Sequence, residues 1–128
     1  MKGHPGLVEA DFNGDGRKDY VVMLRGGVEK ELEIQGKKYK SIDLMLVAFL
    51  KDESGSYKSS IIYKYDAGLP PFGVYIELHR PGVIQEFGTD RTAKIKNPAV
   101  LLIHCEKSSV VFYWDKQKKM FQEIWTGD

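Results

Sequence analysis

A strand, an acidic loop and a second strand decide the fold of this chain, in the stretch 7–24 that reads LVEADFNGDGRKDYVVML. Residues 7–10 and 20–24 are short runs rich in β-branched and aromatic residues, which favour strands over amphipathic helices. Between them, residues 11–19 place oxygen-bearing side chains at loop positions 1, 3, 5 and 9 and glycines at positions 4 and 6. That spacing is typical of a loop that binds Ca²⁺. The sequence therefore predicts a metal loop between two strands.

Each predicted ligand has a role set by its place in the loop. Ca²⁺ takes roughly six to eight oxygen ligands, and a short loop supplies most of them. Asp11, Asn13 and Asp15 would point inward on alternate residues, Arg17 would offer its backbone carbonyl, and Asp19 would close the cage directly or through water. The alternative is a turn without an ion, because Asn, Asp and Gly are also the residues that build turns.

An EF-hand does not fit this loop. Position 12 of an EF-hand loop carries a bidentate glutamate, and here that position is Val22. The flanking runs also favour strands, whereas an EF-hand needs a helix on each side.

The motif resembles the calcium loop of FG-GAP or VCBS-type repeats, which occur in integrin-like β-propellers and in many exported bacterial proteins. The resemblance covers Val8 to about Leu24. A weaker similarity, over the pair of runs 109–115 and 121–125, is to the last hairpin of small uncharacterised bacterial proteins with one such loop near their start. Asn13 stands where many members have aspartate, which lowers the charge of the ligand set.

This resemblance implies calcium binding through Asp11, Asn13, Asp15, Arg17 and Asp19, and it implies no enzymatic activity. It also suggests a periplasmic or extracellular location. Residues 1–5 are not the start of a signal peptide, because no apolar segment follows them. An exported protein of this kind would carry a leader, so the chain is either a trimmed form or a cytosolic protein.

Composition excludes several classes of function. Nineteen basic and 18 acidic residues leave a net charge of +1, which argues against a nucleic-acid or membrane-surface role, since both need a basic surface. No stretch has the apolar length of a membrane span. The single cysteine, Cys105, rules out an intramolecular disulfide.

Most of the chain has the period of two that is typical of half-buried antiparallel strands. Three runs alternate in this way, 61–66, 74–79 and 110–115, whereas 42–50 is apolar on both faces and predicts a covered central strand. Two hairpins are expected, 41–51 with 57–66 and 110–114 with 120–125. The segment 99–105 should be a further strand, 29–34 fits a strand or a helical turn, and 82–97 is undecided.

The predicted fold class is mainly β with little helix, in one domain spanning 1–128 with about eight strands. Antiparallel sheets would form a small sandwich, an open twisted sheet or a partial barrel. A complete propeller is excluded by length, because blades of about 40–45 residues must number at least four. No second copy of the loop motif is present.

The sequence contains no catalytic motif. Zinc spacing, a nucleophile elbow and a phosphate loop are all missing. The leading function is a non-enzymatic, calcium-binding interaction module whose partner would be a protein or a carbohydrate, bound by aromatics on 57–66 and 74–79. The alternatives are a hydrolase that uses carboxylates, such as Glu86 with Asp90 or Glu77 with Glu123, and a protein inhibitor or immunity-type partner.

Overall fold

Ten β-strands and no helix make up the regions that the computed structural model describes, residues 6–65, 74–104 and 108–127. All strand pairs are antiparallel. The strands are β1 (Leu7–Ala10), β2 (Asp19–Ile34), β3 (Lys37–Lys51), β4 (Tyr57–Tyr65), β5 (Val74–His79), β6 (Gly82–Gln85), β7 (Thr92–Ile95), β8 (Ala99–His104), β9 (Ser108–Asp115) and β10 (Met120–Gly127).

The strands form two four-stranded sheets and one hairpin. The first sheet has the order β1-β2-β3-β4, the second has the order β10-β9-β8-β5, and β6 pairs only with β7 among the described strands. Successive hairpins build the first sheet, and its tightest turn is the two-residue connection Gln35-Gly36 between β2 and β3. Both turn residues have positive φ, of 51° and 79°, as a two-residue hairpin turn of matching twist requires.

The two four-stranded sheets pack face to face around one core, so the architecture is a small sandwich with no closed sheet. Every strand of the second sheet except β10 supplies a buried side chain to this core, and β1, β2 and β3 do so from the first. Half-buried residues of β4 and β10 pack against these. The buried set is Val8, Phe12, Val21, Leu46, Ala48, Ile76, Val100, Leu102, Val110 and Phe112.

The β6–β7 hairpin covers the outer face of the second sheet. Its Ile84 and Ile95 are buried against Ala99, Val111 and Ile124. The hairpin is also hydrogen-bonded to β10, because Phe87 in its turn donates its backbone N–H to the carbonyl of Trp125 at 2.8 Å. The undecided stretch 82–97 is therefore the third layer of the structure.

The prediction that residues 110–115 form a half-buried strand is wrong, because β9 is buried on both faces. Val110 and Phe112 face the shared core, while Val111 on the opposite face is fully enclosed beneath the β6–β7 hairpin. Alternation in a sequence cannot reveal a second layer that a distant hairpin provides.

The alternation predicted for 61–66 is also wrong, because a β-bulge interrupts β4. Tyr63 pairs with Leu46 and Ile61 with Val47, which leaves Ile62 as the extra residue. Such a bulge shifts the side chains that follow it to the other face. Ile62 and Tyr63 both pack against the core, whereas Ile61 is 61% exposed.

The other strands lie where the sequence predicts them, although the described residues form ten strands and about eight are expected. In β5, Leu78 departs from the predicted alternation, because it is 49% exposed. Both expected hairpins form, β3 is the inner strand between β2 and β4, and 29–34 is a strand within β2. Segment 99–105 forms β8 up to residue 104, and Cys105 lies outside the described residues, as does the proline-containing break at 67–73. Within the described ranges, no helix is long and apolar enough to cross a membrane.

Candidate metal centre

The acidic loop is the connection between two paired strands. Ala10, the last residue of β1, pairs with Asp19, the first residue of β2, so residues 11–18 form a closed loop at the end of this hairpin. An exposed ion pair of 2.9 Å between Lys18 Nζ and Glu9 Oε1 links the two sides at its base. The predicted strand–loop–strand arrangement is confirmed.

Phe12 fastens the loop to the core of the sandwich. Its side chain is completely buried in the shared core, and its ring meets the edge of Phe121 at a centroid distance of 6.3 Å. Burying a side chain of this size stabilises the fold by about 1.5–3 kcal/mol. The loop is therefore held in place by apolar packing whether or not an ion is bound.

Asp11 organises the backbone of the loop. Its Oδ1 accepts hydrogen bonds from the N–H groups of Gly14 and Asp15, at 2.9 and 3.1 Å, and its Oδ2 accepts one from Gly16 at 2.8 Å. Gly14 and Gly16 have φ of +76° and +85°, a backbone conformation that residues other than glycine adopt at a cost. The two glycines thus let the chain curl around the Asp11 carboxylate.

Asn13 and Asp15 extend the same curl. Asn13 Oδ1 accepts the Asp15 N–H at 3.3 Å, and Asp15 Oδ1 accepts the Arg17 N–H at 2.9 Å. The Arg17 guanidinium also lies 3.1 Å from Asp15 Oδ2. Burial acts to raise the pKa of Asp15, but these bonds and the charge of Arg17 outweigh it, and the pKa is lowered.

Asp19 is the buried end of the loop, with no exposed surface. Its Oδ2 accepts the Phe12 N–H at 3.1 Å, and its Oδ1 accepts the Lys51 N–H at 3.0 Å. One carboxylate therefore ties the start of the loop to the end of β3. Burial raises the pKa of Asp19 above its ordinary value of 3.8, the two hydrogen bonds oppose that rise, and the charges of Asp15 and Asp11 add to it.

Three carboxylates converge in this loop. One oxygen from each of Asp11, Asp15 and Asp19 lies within 4.8 Å of the other two. Three negative charges so close repel one another, and a divalent cation would remove that repulsion. All-oxygen donors suit Ca²⁺, Mg²⁺ and Mn²⁺ better than softer metals. The structure thus assembles a possible metal site from three of the five predicted ligands.

The hydrogen bonds already present leave room for a cation. An ionised carboxylate offers about four lone-pair positions, so an oxygen that accepts one backbone N–H still has capacity for a metal. Asp11 Oδ1 already accepts two N–H groups, so the capacity of Asp11 for a metal lies on Oδ2. The Asp15–Arg17 ion pair also opposes binding, because the guanidinium and a metal ion would compete for the same carboxylate. Ligation by Asn13 and by the Arg17 carbonyl stays a prediction.

Two neighbours of the loop, Asn97 and Asp52, could not be identified from the sequence. The Asn97 side chain packs so closely on Gly14 that a Cβ there would lie 2.9 Å from Asn97 Oδ1. The turn that follows Lys51 is built on Asp52, whose pKa is lowered by hydrogen bonds from Ser54 and Ser56 and by the charge of Arg17. Only the folded arrangement brings these residues to the loop, because they are far from it along the chain.

The alternative acid–base carboxylates are placed differently. Glu86 accepts the Arg91 guanidinium at 2.9 Å and the Thr89 hydroxyl at 3.1 Å, so it closes the turn between β6 and β7. Glu77 and Glu123 are exposed on β5 and β10, the two outer strands of the second sheet. Neither arrangement is a cleft with converging carboxylates.

No family model matches this chain, and no curated protein or solved structure matches it either. The resemblance to FG-GAP or VCBS-type loops therefore rests on residues 8–24 and on the three clustered aspartates.

Proposed function

We propose that this protein is a non-enzymatic, calcium-binding β domain whose loop 11–19 holds one Ca²⁺. The observation that carries the proposal is the convergence of the Asp11, Asp15 and Asp19 carboxylates within 4.8 Å. Asn13 Oδ1 and the Arg17 carbonyl would complete the protein ligands, and water would fill the remaining positions.

Calcium suits this loop better than magnesium. Mg²⁺ demands near-ideal octahedral geometry at about 2.0–2.1 Å and gives up water reluctantly, whereas Ca²⁺ accepts irregular cages at about 2.3–2.6 Å. The loop offers a mixed donor set on a curled backbone that Phe12 and Asp19 hold in place. A cage of this kind favours the larger and more tolerant ion.

The ion would act by stabilising the fold around the loop. It would neutralise charges that repel one another, one of which lies on the buried Asp19 that ties β2 to β3. An ion that binds only the folded state adds roughly 2.7 kcal/mol at a concentration of 100 times its Kd. Stabilisation of this size would order the surface around the loop for a partner.

Thermal unfolding with and without calcium tests this proposal. The melting temperature of chelator-stripped protein should rise with added Ca²⁺, and Asp15→Ala should abolish the rise. Asp90→Ala is the matched control, because it removes an exposed carboxylate from the turn between β6 and β7. A parent protein that does not respond, or an Asp15→Ala variant that responds as the parent does, would refute the proposal.

The partner of such a module would be a protein or a carbohydrate. An aromatic pair supports this, since the rings of Tyr20 and Tyr57 lie 5.9 Å apart next to the loop, and Tyr57 is 46% exposed. Tyr63 does not contribute, because its ring packs against Phe112 in the core at 5.3 Å. Glycan-array hits that depend on calcium should be lost in Tyr57→Ala, and hits that survive Tyr57→Ala would exclude this surface.

A further inference from the structure

A cavity of about 320 Å³ lies between the edges of the two sheets, and no residue of the acidic loop lines it. One wall comes from β4 at the edge of the first sheet and from the end of β3, and the other comes from β9, from β10 at the edge of the second sheet and from the turn between them. We call this cavity the β4–β10 cleft. Small-molecule sites in proteins have volumes of about 300–1,000 Å³, so the cleft is large enough for a small ligand.

The floor of the cleft is apolar and built from half-buried side chains: Leu50, Ile62, Trp114 and Phe121. The rings of Trp114 and Phe121 meet edge to face with their centroids 5.4 Å apart, and Phe121 in turn contacts Phe12 in the core. Both rings are thus held by packing behind them. A ligand with an apolar body would meet a preformed surface.

The rim of the cleft is positively charged. Lys58 and Lys119 are the charged side chains among the described residues that line it, and no acidic residue is among them. Neither ammonium group has an ion-pair partner within the described part of the chain. Two such cations beside an apolar floor match a ligand with one anionic group and an apolar body.

The backbone of the β9–β10 turn fixes the position of Lys119. Lys119 has a φ of +52°, in the left-handed region that glycine occupies without strain and other residues adopt at a cost. The turn is already fixed by Asp115, whose Oδ1 accepts the N–H groups of Gln117 and Lys118 at 2.9 and 3.1 Å. Lys119 closes the β9–β10 turn in the same left-handed conformation that Gln35 adopts in the β2–β3 turn, so the backbone of the turn places the lysine at the rim of the cleft.

We propose that the β4–β10 cleft binds a small carboxylate with an apolar body. The carboxylate would lie between the Lys58 and Lys119 ammonium groups, and the apolar body would cover Ile62, Trp114 and Phe121. The exposed side chains of Ile61 and Met120, which are 61% and 52% accessible, would close over the ligand. This site is separate from the acidic loop and does not depend on calcium.

An NMR titration with octanoate tests the proposal, with octan-1-ol and octylammonium as probes that share its tail and differ in the head group. Octanoate should shift the Trp114 indole signal and leave that of Trp125, which does not line the cleft. Octylammonium should not bind. Octan-1-ol should bind about tenfold more weakly, because it lacks the two charge-assisted contacts.

Variants test whether the two lysines bind octanoate or whether the apolar surface binds it without them. Lys58→Gln and Lys119→Gly should each weaken octanoate binding by about three- to fivefold, the size expected for an exposed ion pair, and together by about tenfold or more. Lys118→Ala, on the same turn but outside the cleft, should bind within about twofold of the parent. Lys119→Gly should melt at or above the temperature of the parent, because it relieves the strained φ.

Three results would overturn this proposal. Equal binding of octanoate and octan-1-ol would show an apolar patch without anion recognition. Unchanged octanoate affinity in the double variant would exclude the lysines. Concentration-dependent broadening of the Ile61 and Met120 signals, with sedimentation of a dimer, would show that a second copy of the chain covers the cleft instead.

Discussion

Replacing Asp19 with alanine separates the structural role of this carboxylate from its role toward a metal. In the folded protein, Asp19 accepts one N–H from buried Phe12 and one from half-buried Lys51. A buried N–H left without a partner costs about 1–3 kcal/mol, and the Lys51 N–H costs less where water reaches it. Loss of a buried, repelled charge offsets part of this cost. We expect Asp19→Ala to lower the free energy of unfolding by about 2–4 kcal/mol in calcium-free buffer.

Asp15→Ala is the comparison that isolates ligation. The Asp15 carboxylate is exposed and accepts hydrogen bonds from its neighbour Arg17, so its loss should cost less than about 1 kcal/mol in calcium-free buffer. Both variants should lose the stabilisation by calcium. Asp19→Asn, which keeps one acceptor oxygen, should fall between Asp19→Ala and the parent protein.

Urea unfolding in chelator and in calcium measures all four proteins. For a chain of this size, the Asp19→Ala change corresponds to a melting temperature about 8–16 °C lower. An Asp19→Ala variant that is as stable in chelator as Asp15→Ala would show that the two long-range hydrogen bonds of Asp19 contribute nothing to stability.

Three further predictions follow from the loop. Arg17→Ala should bind Ca²⁺ up to about fivefold more tightly in calorimetry, because it frees Asp15 from a surface ion pair. Lys18→Ala is the control and should change the Ca²⁺ affinity less. Equal gains in affinity for both variants would indicate an effect of net charge alone. Phe12→Ala should cost about 3–5 kcal/mol in urea unfolding, since it empties a core position; a cost below about 1 kcal/mol would refute the anchoring role. Burial raises the pKa of Asp19, so the stability of the parent relative to Asp19→Asn in chelator should depend on pH. This relative stability should be greatest below about pH 3.8 and should fall as the pH rises through the raised pKa. Urea unfolding measures it, and a relative stability that increases with pH over this range would show that burial does not raise the pKa of Asp19.

The strands and the loop could be predicted because both are encoded locally. Alternating apolar residues predicted β5 and β9, and the acidic motif predicted a loop between β1 and β2, since the residues that define each feature are neighbours in sequence. The confirmed hairpins, β3 with β4 and β9 with β10, depend on turns that lie within a few residues of their strands.

Features that depend on distant residues could not be predicted. The bulge at Ile62 is defined by its pairing with β3, and the burial of Val111 is defined by the β6–β7 hairpin. The candidate metal site follows the same rule. Its glycine and aspartate spacing is local, whereas the contact of Asn97 with Gly14 and the bond from Lys51 to Asp19 exist only after the sheets have assembled.

Titration calorimetry on chelator-stripped protein measures calcium binding itself. We expect one Ca²⁺ per chain, with a Kd between about 10⁻⁶ and 10⁻³ M by comparison with sensor and extracellular sites, and much weaker binding of Mg²⁺. The convergence of the Asp11, Asp15 and Asp19 carboxylates is the reason for the single site. The absence of any binding heat up to about 10 mM Ca²⁺, ten times the Kd of the weakest extracellular sites, together with an unchanged melting temperature, would contradict it.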